Sequence, residues 1–466
     1  MAGKFKITGS AAAWIALALL VVPMFGSYFF DDMFSTVSNI FNDPGSLQLG
    51  WGQDEYGKYT SGYSILCIFG GLVLCGMLLD RWGVRITGSI FVGLMVAGAG
   101  IVTWALLSGL PAAQSLNVAW AGCMVFGLGS EIAGVAVTRS IAKWFKGRNM
   151  AFAMGLQLAI ARLGTATAFL LSPVLIRQKD LYTLAETARP AFFGMMLLFV
   201  GAIFWAVFVA MDARFDRESR QLAAGEGPVK NEENEEAPSS EQFRFRDVLK
   251  VLGNPNWWLL ALLCVFFYSS IVAFKKFTGA ILVPRFGVSA GIAGLMATIL
   301  PFSTVVFAPL FGLMVDRRGH GTRWMVFGAV LALAAHLVLA FAPSGNAFWG
   351  YAAMILLGFS YSLVPAALWP SVPKVIPDRM LGTAFALIYW VQNLGLWGFK
   401  RFAGRILEST HGSVNAADAA SNLGNSPILN VELMFLAVCV AALVLAILFA
   451  ASSRRHPELA LDKANK

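Results

Sequence analysis

Long apolar stretches separated by short polar loops recur twelve times along this chain. They fall near residues 11–33, 60–80, 87–108, 118–143, 150–175, 190–211, 256–280, 289–314, 325–342, 348–371, 380–403 and 430–452. Each is close to the ~20 residues that an α-helix needs to cross the hydrocarbon core of a bilayer. The pattern therefore predicts an all-α membrane protein with twelve transmembrane helices.

The longest polar stretch lies between the sixth and seventh apolar stretches. Residues 212–254 include the acidic segment GEGPVKNEENEEAPSSEQ, which has the composition of a flexible linker. We therefore predict an N-terminal six-helix bundle over residues 1–211 and a cytoplasmic linker over 212–254. A C-terminal six-helix bundle over 255–453 and a cytoplasmic tail over 454–466 complete the chain.

Composition agrees with this division. The chain is 58% hydrophobic and 13% charged, whereas soluble domains carry about 25% charged residues. Its formal charge of +9 arises from Lys and Arg gathered at the ends of apolar stretches, which favours cytoplasmic termini and gives no reason to expect nucleic acid. All five cysteines lie in apolar runs and are interpreted as reduced packing residues. No nucleotide-binding, zinc or nucleophile-elbow motif is present, so neither an enzyme nor a cofactor is expected.

A short motif, G-x-x-x-D-R-x-G, follows the second apolar stretch and recurs after the eighth. Its residues are Gly76, Asp80, Arg81 and Gly83 in the first copy and Gly312, Asp316, Arg317 and Gly319 in the second. The fourth and fifth stretches also align without a gap on the tenth and eleventh. Such duplication predicts two pseudo-symmetric bundles. A short loop with an acid, basic residues and a helix-ending glycine can latch the bundles together on the cytoplasmic side; Arg139 is a further gate or latch candidate.

Two charged residues stand inside apolar stretches, where burial in hydrocarbon costs roughly 3 kcal/mol or more. Glu131 and Arg162 lie equally far from the turn between the fourth and fifth stretches, so both are expected near the bilayer middle on neighbouring helices. They could form a structural ion pair. Alternatively, Glu131 could hold an amine and Arg162 a carboxylate, which together suit a zwitterion. The pseudo-equivalent residues of the second half, Ser362 and Asn393, are neutral.

The opposite wall of such a site would be uncharged and rich in aromatic residues. Its candidates, each of which could equally serve packing, are Tyr268, Tyr361, Trp369, Tyr389, Gln392 and Asn393.

Other ionisable residues have weaker claims. Lys275 and Lys276, near the outer end of the seventh stretch, are expected to extend to the membrane surface. Proton coupling would need a titrating carboxylate or histidine, for which the candidates are Glu131, Asp31, Asp32 and His336. The last of these is interpreted as a packing histidine.

The duplicated loops resemble those of the major facilitator superfamily. The stretches GSYFFDD, GSEIAGVAV followed by WFKGRN, GLQLAIARLGT, GFSYSLVPAALWPSV and LGTAFALIYWVQNLGL further resemble the family of lysosomal dipeptide transporters within it. That resemblance implies a uniporter-like carrier in which Glu131 and Arg162 handle the termini of the peptide. It also implies a pocket wall around Leu368 to Pro370, Gln392 and Asn393.

We therefore expect a transporter of dipeptides or other short peptides that works by alternating access. A monomer without an accessory subunit is expected in a bacterial inner membrane, or in the lysosomal membrane if the source is eukaryotic. One alternative is an organic-anion or monocarboxylate carrier or antiporter that uses Arg162 alone. Another is a non-transporting sensor or scaffold whose acidic linker binds partners.

Overall fold

The computed structural model describes residues 10–145, 149–177, 179–225, 245–377, 380–408, 426–459 and 461–463. These residues form twelve long helical segments, and no extended β-strand occurs among them. In the first half the helices are α1 (Ser10–Asp32), α2 (53–82), α3 (84–107), α4 (Ala112–Trp144), α5 (Met150–Leu175) and α6 (Leu184–Gly225). In the second half they are α7 (255–286), α8 (Ala290–Arg318), α9 (Gly321–Phe341), α10 (347–375), α11 (Leu381–Glu408) and α12 (Pro427–Arg455).

Ten of these segments are long and apolar enough to cross a membrane, which confirms the prediction of an all-α membrane protein. The other two, α2 and α11, are more polar but pack inside the same bundle. Helix α2 begins at Gln53, earlier than predicted, and its additional first turns include the buried polar residue Gln53. Apolarity alone does not reveal these turns.

The helix α6 extends beyond the predicted boundary at residue 211 and continues to Gly225. Asp212 and Asp216, on this extension, form ion pairs of 2.7–3.8 Å with Arg85 of α3 and Lys143 of α4. The ion pairs anchor the extension to the first half. Residues 226–244 of the predicted linker lie outside the described residues, and a short helix, Phe245–Leu252, precedes α7.

The repeated motif ends a helix in both halves. Gly83, between α2 and α3, has a φ of +73°, and Gly319, between α8 and α9, has a φ of +65°. This left-handed region is open to glycine at little cost, which explains why each motif ends in one. The burial of Gly76 and the side chain of Asp80 lie outside the described part of the structure, as does the side chain of Cys75. The other four cysteines are buried free thiols.

The two halves meet closely at the end of the bundle opposite the linker, here called the outer end. A Cβ atom added to Gly57 of α2 would lie 2.9 Å from the Cα atom of Gly404 of α11. A Cβ atom added to Gly294 of α8 would lie 2.3 Å from the carbonyl oxygen of Phe169 of α5. Small residues thus allow backbone contact between the halves on two sides of the bundle.

Candidate substrate-binding site

A cavity of about 680 Å³ lies between the two halves, a size typical of small-molecule sites. Helices α1, α2, α4 and α5 line it from one side, and α7, α8, α10 and α11 from the other. Near the inner end its lining includes Gly155, where an added Cβ atom would meet no other atom within 4 Å. The close contacts of Gly57 with Gly404 and of Gly294 with Phe169 join the halves at the outer end, and the cavity extends towards the end that carries the linker, here called the inner end.

All eight residues proposed for binding from the sequence line this cavity. They are Glu131, Arg162, Tyr268, Tyr361, Trp369, Tyr389, Gln392 and Asn393.

Glu131 is positioned by hydroxyl groups within the first half. The Tyr63 hydroxyl donates a hydrogen bond of 3.0 Å to its Oε1 atom. The same hydroxyl also lies 3.1 Å from the Oγ atom of Ser130, which is 2.6 Å from that of Ser27. Three helices, α1, α2 and α4, therefore fix the carboxylate at the cavity wall.

Arg162 is surrounded by tyrosines. Its guanidinium group lies over the rings of Tyr28 and Tyr361, at 5.6 and 5.3 Å from their centroids, distances at which cation–π attraction is appreciable. Its Nη1 atom donates a 3.2 Å hydrogen bond to the Tyr361 hydroxyl, while its buried Nε atom has no hydrogen-bond partner. Within the described part of the chain, neither Arg162 nor Glu131 has an ion-pair partner within 4.0 Å. Both charges face the cavity without cancelling each other.

Around Trp369 the wall from the second half is aromatic and neutral, whereas Lys275 and Lys400 line it towards the outer end. The Trp369 indole nitrogen donates a 3.0 Å hydrogen bond to the Tyr268 hydroxyl, and the indole ring stacks on Tyr389 with centroids 5.2 Å apart. Asn393 donates through Nδ2 to the backbone oxygen of Tyr389 on its own helix. This surface offers aromatic faces and few free polar atoms.

The prediction that Lys275 and Lys276 extend to the membrane surface is wrong. Their side chains are 9% and 1% exposed and point to two acids at the outer end of α1. Lys275 lies 2.7 Å from Asp32, and Lys276 lies 2.8 Å from Asp32 and 2.7 Å from Asp31. The acids replace water as partners, so the lysines need not reach the surface. We call these four residues the outer seal, because they join the two halves at the outer end of the cavity, where Asp31 and Lys275 form part of its lining.

A second buried pair lies away from the cavity. His336 of α9 packs against the rings of Phe274 and Phe435, which agrees with its interpretation as a packing residue. Its Nδ1 atom also lies 2.8 Å from a carboxylate oxygen of Glu432 of α12. Both side chains are fully buried. Glu432 was not recognised from the sequence because it stands near the start of an otherwise apolar stretch.

The sequence analysis did not identify Tyr28, Tyr63 and Lys400, which also line the cavity. Tyr28 and Tyr63 look like ordinary aromatic residues in the sequence, and only their contacts with Arg162 and Glu131 reveal their role in the wall. Lys400 lies within the eleventh apolar stretch, so a charge in a membrane segment was the available signal. It lines the cavity near its outer end and is 2% exposed.

The proposed latch residues lie at the inner end of the bundle. Arg81, Arg139, Asp316 and Arg317 are exposed there. In the second half, the C-terminal segment also packs at this end: Asp462 accepts hydrogen bonds from the backbone nitrogen and hydroxyl of Thr322, both within 3.0 Å. The inner end thus carries charged groups from both copies of the repeated motif.

Two six-helix halves around a central cavity are the arrangement of a membrane transporter. The family profile described as Major Facilitator Superfamily matches residues 10–397, and the chain belongs to that superfamily.

Among curated relatives, the chain is 30% identical over 411 residues to the lysosomal dipeptide transporter MFSD1 of Bos taurus, covering 85% of this chain and 79% of that protein. Among solved structures, it is similar to a D-xylose–proton symporter, with a TM-score of 0.65 and 16% identity over 95% of this chain and 97% of the other. An auto-inhibited POT family peptide transporter matches with a TM-score of 0.64 and 15% identity over 94% and 97% of the two chains.

Proposed function

We propose that this protein carries dipeptides or other short peptides by alternating access. The observation that carries the proposal is the presence of an unpaired carboxylate, Glu131, and an unpaired guanidinium, Arg162, in one cavity. A peptide offers an ammonium group at one end and a carboxylate at the other, so the two side chains match its termini. The relationship to dipeptide transporters supports the same substrate class.

The neutral wall suits a peptide carrier because peptides share their termini but differ in their side chains. Aromatic faces such as those of Trp369 and Tyr389 pack against many side chains without demanding one hydrogen-bonding pattern. Glu131 and Arg162 would then bind the termini, which all peptides share.

Transport also requires an outward-facing state, in which the outer seal is broken. The two lysines of the seal lie on α7 directly after a π-helical turn, Ser269–Ala273, and such turns often occur at functional sites. We propose that the halves rock around the bound peptide, breaking the seal and closing the inner end through the motif loops. The cycle is uniport-like, with the peptide gradient as its driving force.

Ligand-dependent thermal stabilisation tests the substrate class. A ligand that binds only the folded protein stabilises it by RT ln(1 + [L]/Kd). We expect dipeptides to raise the melting temperature of the purified protein and expect both Glu131→Gln and Arg162→Ala to remove the effect. Stabilisation by monocarboxylates that depends on Arg162 but not on Glu131 would instead establish an organic-anion carrier.

For its cellular setting, we propose a monomer in a bacterial inner membrane with both termini in the cytoplasm. The distribution of Lys and Arg between loops supports this orientation. A reporter fused to the C-terminus that is active only in the cytoplasm would test it, and an active reporter on the other side would reverse the assignment.

A further inference from the structure

Lys400 is a buried lysine that lines the cavity. It lies about two turns before the outer end of α11, and its Nζ atom donates a 3.4 Å hydrogen bond to the backbone oxygen of Thr60. The same atom stands over the Tyr63 ring, 5.4 Å from its centroid. Among the described residues, no carboxylate lies within 4.0 Å of it. A charge removed from water in this way is costly unless an anion joins it.

The charges around the cavity do not balance. The outer seal contains two acids and two lysines and is neutral as a group. Glu131, Arg162 and Lys400 remain, and together they carry one positive charge. A dipeptide with neutral side chains brings a positive and a negative terminus, so it satisfies Glu131 and Arg162 and leaves Lys400 unpaired.

We propose that Lys400 binds the side-chain carboxylate of an acidic dipeptide, and that the acidic residue is the first of the two. This inference rests on the proposed function and names a preferred substrate class within it. The position follows from Tyr63, which lies between the two charges: its hydroxyl bonds Glu131 and its ring lies beneath Lys400. Lys400 is therefore next to the place where the peptide amino group would bind, within reach of the first side chain.

Equilibrium binding of Asp-Ala, Asn-Ala and Ala-Asp to the purified wild-type protein and to Lys400→Met tests the proposal. The wild type should bind Asp-Ala at least about tenfold more tightly than Asn-Ala, because one charge-assisted hydrogen bond separates the two ligands. Ala-Asp should gain less. In Lys400→Met the preference for Asp-Ala should disappear, while the Kd of Asn-Ala should change by less than about threefold. Lys58→Met, which removes a partly exposed lysine of α2 that does not line the cavity, serves as the matched control and should keep the preference.

The possible results distinguish a failure of the Lys400 assignment from a failure of the proposed peptide transport. Equal binding of Asp-Ala and Asn-Ala by the wild type would overturn the role of Lys400 while leaving the peptide carrier intact. An equal loss of both ligands in Lys400→Met would do the same, since it would show a general structural role. If no dipeptide binds the wild type at all, the proposed function itself fails. Retained fluorescence-detected size-exclusion behaviour and melting temperature establish that the variant is folded.

Discussion

The two walls of the cavity come from helices related by an internal repeat, yet they carry different chemistry. Glu131 and Arg162 of the first half correspond to Ser362 and Asn393 of the second. The hydroxyl of Ser362 donates a hydrogen bond to the backbone oxygen of Gly358, and the amide of Asn393 donates one to the backbone oxygen of Tyr389. Both side chains therefore bind their own helices. At these two equivalent positions the first half therefore supplies charged side chains and the second half supplies neutral ones.

At the outer end the division is different. The seal takes its acids, Asp31 and Asp32, from the first half and its lysines, Lys275 and Lys276, from the second. The two charges proposed to bind the peptide termini belong to one half, whereas charges that form a contact between the halves have to be divided between them. The following variants test this distinction.

Breaking the seal should have the largest effect. Lys276→Met leaves Asp32 deeply buried with one lysine fewer, and removing one partner of a buried ion pair typically costs 3–5 kcal/mol. We expect the free energy of unfolding in mild detergent to fall by about that amount. Asp54→Asn, which removes a partner of the more exposed Arg401 at the same end, should cost ~1 kcal/mol or less. Equal effects from the two variants would show that the seal is not a buried ionic contact.

Removing the guanidinium group should come next. Arg162→Ala is expected to weaken dipeptide binding at least ~100-fold and to abolish transport, because truncating one partner of a buried charge pair costs about 2–5 kcal/mol. Its pseudo-equivalent variant, Asn393→Ala, should change binding less than about fivefold. Uptake into proteoliposomes and binding to purified protein are the measurements. Wild-type uptake by Arg162→Ala would refute the assignment.

Neutralising the carboxylate should have an intermediate effect. Glu131→Gln keeps the shape of the side chain but removes its charge, and a hydrogen bond to a charged group contributes about 1.5–3 kcal/mol. Dipeptide affinity measured by calorimetry should therefore fall roughly 10- to 100-fold, with Ser362→Ala as the near-silent counterpart. An unchanged Kd in Glu131→Gln would favour the organic-anion alternative.

Thinning the aromatic wall should have the smallest effect. Trp369→Leu removes the stacking on Tyr389 and the hydrogen bond to Tyr268, and an aromatic pair contributes about 0.5–1.5 kcal/mol beyond its buried area. We expect a loss of roughly three- to tenfold in affinity for dipeptides with large apolar side chains and a smaller loss for Gly-Gly. A uniform loss across peptides would show that Trp369 supports the fold and not side-chain binding.

The sequence predicted the helical frame well because apolar length and the repeat both report on it. Helix α5 begins and ends where predicted, whereas the start of α2 was missed because its polar residues are buried against protein and not lipid. The charges of Glu131 and Arg162 within apolar stretches directed attention to these two residues, which do line the cavity.

What the sequence could not supply were pairings between distant segments. Lys275 and Lys276 were expected at the surface because their partners lie about 240 residues away on α1. The contact of His336 with Glu432 was missed for the same reason. Lys400 was different: its charge within a membrane stretch was visible, but its position near the end of that stretch made it resemble a loop residue.

The division of the outer seal between the halves has an electrical consequence. Its acids and lysines return to their starting positions when the seal closes again, so over a complete cycle they carry no net charge through the membrane field, in which one elementary charge is worth about 2.3 kcal/mol per 100 mV. The net current of the carrier would then depend on the charge of the loaded site. With Lys400 protonated, a peptide with neutral side chains leaves that site with one positive charge, whereas an acidic dipeptide makes it neutral. Membrane potential would therefore act differently on the two substrates, and the transport current recorded with an acidic dipeptide would differ from that with a neutral one.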